Sequence, residues 1–217
     1  MQSLTYLCAV VVSKNTKLSC GEFDDCESIK DTLFKILQPI DQIRCLGAIK
    51  LFYVDGSPSK YAEFRGDKLN GILKNWYPDN KIRHISYHLD GKLHGIYTDW
   101  SRLGRRMLQV TYINNRSHGV RKTWHSNGTR KSRTTMINGK INGTGYYWNE
   151  SGKLIKSIQY LNGKKHGLQK AWGVSIYTET NYYKGLKHGP YKVTGGDKII
   201  NHHFFLSGIP IIDLCKN

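Results

Sequence analysis

The chain has 217 residues, 39% hydrophobic and 12% aromatic, with 22 glycines and a formal net charge of +17. So little aliphatic material cannot fill the interior of one large globule, and no apolar run approaches the roughly twenty residues that a membrane-spanning helix needs. The charge is uneven: residues 1–45 hold five basic and six acidic side chains, net −1, which leaves 28 basic and 10 acidic, net +18, after residue 45.

The first element is the apolar, β-branched run Leu4–Val12 (LTYLCAVVV), which reads as a buried strand. A degenerate signal peptide is the alternative, but no basic stretch precedes the run and no small-residue cleavage site follows it. Lys14–Lys17 reads as a turn and Leu18–Phe23 as a second strand. Asp24 or Asp25 then caps a predicted helix to about Gln38, whose apolar positions Ile29, Leu33, Ile36, Leu37 and Ile40 recur at helical spacing until Pro39 ends it. Residues 1–45 are therefore expected to form a small α+β cap on the rest of the chain, a partner-docking helix being the competing reading. Four of the five cysteines (Cys8, Cys20, Cys26, Cys45) fall here, with no zinc-ligand spacing and an odd total, which suits thiols in a reducing, cytoplasmic compartment.

From residue 46 one glycine recurs: Gly47, Gly71, Gly95, Gly119, Gly143 and Gly167 at intervals of 24, then Gly189 after 22. Five positions after each stand Phe52, Trp76, Trp100, Trp124, Trp148, Trp172 and Thr194, so every tryptophan occupies one slot of the repeat. A fixed period of this size marks an array of one small supersecondary unit. In the fourth repeat the grammar is a strand Gly119–His125, a turn Ser126-Asn127-Gly128, a strand Thr129–Ile137 and a turn Asn138-Gly139-Lys140. Asn-Gly is a strong hairpin signal because both residues accept the positive φ of a tight type I′ turn. Related turns stand at Asp55-Gly56, Asp79-Asn80, Asp90-Gly91, Ser151-Gly152 and Asn162-Gly163. The expectation is a mainly β chain: an elongated, single-layer antiparallel meander of about twelve strands over 46–208, with 209–217 folding over the last sheet edge.

A bare glycine in a strand lets a neighbouring ring lie over the backbone. A second aromatic column stands seven residues before the glycine, as Phe64, Tyr112, Met136, Tyr160 and Tyr182, with Tyr87 shifted by one. The two columns are expected to stack ring on ring and form the core, with Gly71, Gly95, Gly119, Gly143 and Gly167 making room for them.

The phrases YHLDGKLHG (87–95), INGKINGTGYYWNESGKLIKSIQYLNGKKHG (137–167) and YKGLKHG (183–189) resemble the MORN repeat variant, with its pattern Y-x-x-G-K-x-x-G-x-x-x-x-W-x-x-x-G. The resemblance covers about residues 47–208. It implies hairpins laid side by side in a twisted sheet. It also implies a non-catalytic scaffold that engages other proteins or itself, as in antitoxin-like bacterial proteins or the particles of large DNA viruses, with anionic-lipid contact as a looser association. It brings no cofactor and no catalytic residue.

The residues agree with that implication. His94, His118, His166 and His188 precede the repeat glycine, but Asn70 and Asn142 fill the same slot, which suits a backbone-bonding role better than metal ligation. Histidines one hairpin apart lie about 10 Å from each other, too far to share an ion. No Ser-His-Asp pattern or phosphate loop is legible. A basic column stands three residues after the glycine: Lys50, Lys74, Lys122, Lys170 and Lys192, interrupted by Thr98 and Tyr146. Alternation places it on the tryptophan face. These lysines are candidate contacts for a polyanion, either nucleic acid or an anionic membrane. The plainer reading is that their stems cover exposed rings and keep a thin sheet soluble.

Overall fold

The computed structural model describes residues 8–12 and 47–211, and within them every regular element is a strand. The expected second strand and helix of the cap lie outside the described residues. By contacts the chain divides into two compact units. The first runs to Arg106 and includes Tyr112–Asn115; the second comprises Met107–Thr111 and everything from Arg116 onward.

In the first unit β1 (Cys8–Val12), β2 (Ala48–Phe52), β3 (Pro58–Arg65), β4 (Lys68–Trp76), β5 (Ile82–Leu89), β6 (Lys92–Leu93) and β7 (Gly95–Trp100) follow in order. Each of β2 to β5 pairs antiparallel with its successor, β5 pairs with both β6 and β7, and β1 lies antiparallel on β2 from Cys8 opposite Phe52 to Val12 opposite Ala48. The described part of the expected first strand, Cys8–Val12, thus pairs with the edge of the first repeat, and Leu4–Leu7 lies outside the described residues. Both units draw on β8 (Arg106–Ile113). The second unit continues with β9 (Arg116–Ser117), β10 (Gly119–Trp124), β11 (Arg130–Ile137), β12 (Lys140–Trp148), β13 (Leu154–Leu161), β14 (Lys164–Trp172), β15 (Ile176–Tyr183), β16 (Leu186–Gly195), β17 (Lys198–Leu206) and β18 (Ile209–Ile211). Here too each strand from β10 on pairs antiparallel with the next. The chain is mainly β, and each unit is an open antiparallel meander of tandem hairpins. The strands outnumber the twelve expected because the C-terminal repeat, despite its degraded pattern, still pairs, and because breaks at His94 and His118 divide two strands into β6 and β7 and into β9 and β10. Ile209–Ile211, expected to fold over the sheet end, instead adds β18 to it.

Two turn types alternate. After the tryptophan slot, the next residue donates its N–H to the carbonyl four residues on, as in Tyr53 to Ser57, Ser101 to Arg105 and Asn149 to Lys153. A positive-φ residue closes each such turn: Gly56, Asn80, Gly104, Gly128 or Gly152. The other turn has two residues, both at positive φ, as in Asp90-Gly91 (49° and 79°), Asn138-Gly139 (49° and 82°) and Asn162-Gly163 (52° and 83°). These are the type I′ turns that Asn-Gly and Asp-Gly predict. The single 22-residue interval has a local cause. Trp148 pairs with Leu154 across a register shift, whereas Trp172 pairs with Tyr177 with none, so the sixth hairpin has lost one loop residue and one bulge residue.

The core does not lie where the rings were expected. Gly119 stands opposite Met136, and side chains alternate along a strand, so Trp124, an odd five residues beyond Gly119, points away from the face that carries Met136. The two ring columns therefore occupy opposite faces and do not stack on each other. The five tryptophans are half-buried, as are Tyr112 and Tyr160. Rings meet only within a face: Tyr97 on Tyr112 at 5.8 Å, Tyr146 beside Trp148 at 6.2 Å and Trp172 beside Tyr177 at 5.7 Å. The deepest column holds small or β-branched side chains nine residues before each glycine: Ala62, Ser86, Val110, Thr134, Ile158 and Thr180, none more than 5% exposed. Along β11 the pattern is explicit, with Ser132, Thr134 and Met136 buried while Lys131 and Arg133 are exposed. A one-layer sheet has no second layer, so only a short side chain between longer neighbours can be fully covered.

All five core glycines sit at positive φ, and some also make room. At Gly95 (φ 116°) the Tyr87 side chain takes the space of a Cβ, so a ring does lie over that glycine. At Gly71 (φ 117°) the space is filled by Glu63, whose carboxylate accepts the Ile72 N–H at 2.7 Å. In the corresponding place Gln159 accepts the Leu168 N–H at 2.8 Å. Pro190 has no N–H, and there Asn181 donates its amide to the Pro190 carbonyl at 3.0 Å.

Candidate functional site

Two faces result, and each presents different chemistry. The tryptophan face carries the lysines three residues after the glycine, as alternation required. In the first unit Lys50 and Lys74 both pair with Tyr61, and the Lys50 ammonium lies 6.0 Å from the Tyr61 ring. With Ile72, Trp76 and Glu63 they line an open groove of about 520 Å³. Its acid is already engaged, since Glu63 also accepts the Tyr61 hydroxyl at 2.8 Å. In the second unit Lys170 and Lys192 both pair with Glu179, and Lys170 is 3.4 Å from its carboxylate. The Tyr177 hydroxyl, donating to Glu179 at 2.6 Å, and then Lys170 hold that carboxyl below its usual range. Lys122 is half-buried beside Arg133. The structure thus brings these lysines together in pairs around a tyrosine or a glutamate, as a row that is partly neutralised and partly covered.

A more open row went unnoticed in the sequence. Three residues before each glycine stand Lys68, Lys92, Arg116, Lys140 and Lys164, all exposed and none ion-paired to another described residue. Lys92, Arg116, Lys140 and Lys164 each follow a type I′ turn, and the residues before those turns are Leu89, Ile113, Ile137 and Leu161. Tyr183 stands in the same place before Lys184-Gly185, and all five residues are 44–49% exposed. Leu89 pairs with Lys92, Ile137 with Lys140 and Leu161 with Lys164, so each pair shares the tryptophan face. The turns are tied together by backbone bonds: Gly91 donates to Leu69, Gly139 to Ser117, Gly163 to Ile141 and Gly185 to Lys165, all at 2.7 or 2.8 Å. The lysine stem lies beside the next turn's glycine, as Lys140 does beside Gly163. Each unit therefore presents, along its turn tips, apolar and basic side chains on alternate strands, held by a rigid backbone ladder.

The opposite face of the first unit holds a polar chain. His84 Nδ1 lies 2.9 Å from Asp99, His84 Nε2 lies 2.8 Å from the Ser86 hydroxyl, and that hydroxyl lies 3.0 Å from His88 Nε2. Tyr97 donates to the other Asp99 oxygen at 3.1 Å and packs edge-on against His84 at 4.5 Å. Burial and then Asp99 push the Tyr97 hydroxyl up to about 12, and burial followed by His84 lowers His88. The connectivity is that of a Ser-His-Asp triad, an arrangement that reading along the sequence missed. A nucleophile must meet its substrate, however, and Ser86 is 0% exposed, enclosed between two imidazoles. A serine has one proton, so it donates to one ring and accepts from the other. The chain satisfies the Ser86 hydroxyl and both His84 nitrogens and ties β5 to β7, while His88 Nδ1 is buried without a partner among the described residues. The signal was present as histidine, serine and histidine on alternate positions of one strand, with Asp99 across from His84.

The histidines before the glycines take backbone and ring roles. The N–H groups of His94 and His118 donate to Tyr87 and Thr111, while His166 and His188 pack on Tyr183 at 5.2 and 5.6 Å. Among the described residues no cluster of three or more His, Cys, Asp or Glu is placed to hold a metal ion, and no helix is long and apolar enough to cross a membrane. No protein-family model matches the chain, and no curated protein matches it.

Proposed function

We propose that the chain is a non-catalytic scaffold of the MORN-repeat-variant kind, which holds an acidic protein partner along its turn tips. The observation that carries this reading is the alternation of half-exposed aliphatic and exposed basic residues on a ladder of type I′ turns. Apolar contact supplies affinity that salt does not remove, while cations in the same row select an acidic surface and speed encounter. The reading is tested by cross-linking and co-purification at high salt. A protein partner retained there, and released by Lys140→Glu with Lys164→Glu, supports it; a partner indifferent to that pair refutes it.

A second reading is a polyanion binder, favoured by the net +18 after residue 45 and by tip cations that no described acid pairs with. Binding of that kind weakens steeply with salt. Gel shift of a single-stranded oligonucleotide, or sedimentation with anionic vesicles, separates the readings. Binding at low salt that disappears at moderate salt, and again in Lys68→Glu/Lys92→Glu/Lys140→Glu/Lys164→Glu, would favour the second.

A further inference from the structure

The spacing of the second unit's tips selects a shape for the partner. This inference rests on the scaffold reading and narrows it. Along successive strands the tips present Ile137, Lys140, Leu161, Lys164 and Tyr183, one residue per strand on one face. Neighbouring strands lie about 4.7–4.9 Å apart, and Gly143 opposite Tyr160 sets each turn two residues, about 6.7 Å, out of step with the last, so the apolar residues recur at about 11.7 Å with a cation between successive ones. An α-helix rises about 1.5 Å per residue, which puts positions seven apart about 10.5 Å from each other on nearly one face, with the fourth or fifth residue between them. The mismatch is about 1 Å per hairpin and roughly 2 Å over three, within the reach of flexible side chains. An extended strand shows side chains on one side about every 6.7 Å, so its nearest position lies at about 13.4 Å and the misfit passes about 3 Å over three hairpins. A nucleic acid offers charge at the lysines but nothing apolar for Ile137 and Leu161.

We infer that the second unit's tip row binds an amphipathic α-helix whose leucine-like residues recur every seven positions, with an acidic residue three or four places after each. The apolar residues rest on Ile137, Leu161 and Tyr183, and the acids meet Lys140 and Lys164. The charge complementarity and the half-exposed aliphatics point to this occupant together.

The test uses the full chain and two synthetic 24-residue helical peptides of equal composition, read by fluorescence anisotropy. In one, leucine stands every seventh residue with glutamate three places later; in the other, the glutamates are moved to the opposite helix face. The expected result is at least tenfold tighter binding of the first, with a tenfold or greater loss in Leu161→Gln and in Lys164→Glu, both exposed sites whose melting temperature is checked alongside. Equal binding of the two peptides, or no binding of either by chain that melts normally, overturns the inference. If neither peptide binds while the natural partner still depends on Lys140 and Lys164, only the helix is excluded and the scaffold stands. If the natural partner also ignores those lysines, both fall.

Discussion

The same three slots of one strand hold His84, Ser86 and His88 in the first unit and Ser132, Thr134 and Met136 in the second. All six lie on the face opposite the tryptophans, and the middle residue of each set is fully buried. In the first unit the slots form a hydrogen-bonded chain that ends on Asp99. In the second they form a short polar contact, Thr123 to Ser132 at 2.6 Å, beside an apolar methionine. The comparison teaches that the register of the hairpin, which is common to both, decides what is buried, while the occupants of the slots decide chemistry and pH response. The glycines differ in the same way. Gly71 and Gly95 have φ of 117° and 116° with a side chain filling the Cβ space, whereas Gly143 has φ of 76° with open space there.

The largest expected effect sharpens that last difference. Gly71→Ala both strains the backbone and displaces Glu63 from the Ile72 N–H, and should cost about 3 kcal/mol, against about 1 kcal/mol for Gly143→Ala. Denaturant titration of the two variants measures this, and equal losses would show that the two glycines do one job. Next comes Ser86→Ala, which leaves two imidazole nitrogens without their shared partner and should cost about 2 kcal/mol. Thr134→Ala removes one buried methyl and a weak contact to Met136 sulfur at 3.9 Å, and should cost about 1 kcal/mol.

The pH response separates the units further. Burial holds His88 below its ordinary value of 6.5, so the folded chain takes up that proton less readily than the unfolded one. The unfolded state then binds more protons, and stability rises with pH. The contribution is complete above about pH 6.5 and is lost as pH falls from there toward the folded-state value. Protection against hydrogen exchange in β5, taken relative to the intrinsic rate at each pH, should fall between pH 7 and pH 5.5 while that of β11, with Met136 in that slot, does not. Glu179 in the second unit is held low, so its loss begins only in the carboxylate range, below about pH 4.5. The smallest effect belongs to the tips: Lys140→Glu should change stability by less than about 0.5 kcal/mol, because the site is exposed and makes no ion pair with a described residue. A larger loss by thermal melting would mean that the tip row holds the fold together.

Much of the hairpin was legible because turns announce themselves locally. Asn138-Gly139 and Asn162-Gly163 fix a two-residue turn, and the position of Lys122 two residues before Trp124 places both on one face. The core was misplaced because that judgement needs the pairing across strands: Gly119 opposite Met136 makes the tryptophan, five residues on, face away. The polar chain was hidden for the same reason, since Asp99 is 15 residues from His84 in sequence and adjacent only by register. The tip row was different. Lys68, Lys92, Arg116, Lys140 and Lys164 recur every 24 residues in plain sight, but glycine and tryptophan at the same period drew attention to slots that are partly covered.

If the register is what the hairpins share, the buried slots are interchangeable and the tips are left to choose the partner. The direct measurement is the pH dependence of unfolding for His84→Ser/Ser86→Thr/His88→Met, which writes the second unit's slots into the first. A folded protein whose first unit no longer weakens between pH 7 and pH 5.5, with partner binding intact, is the predicted result. A chain that fails to fold, or that keeps the acid sensitivity, would contradict it.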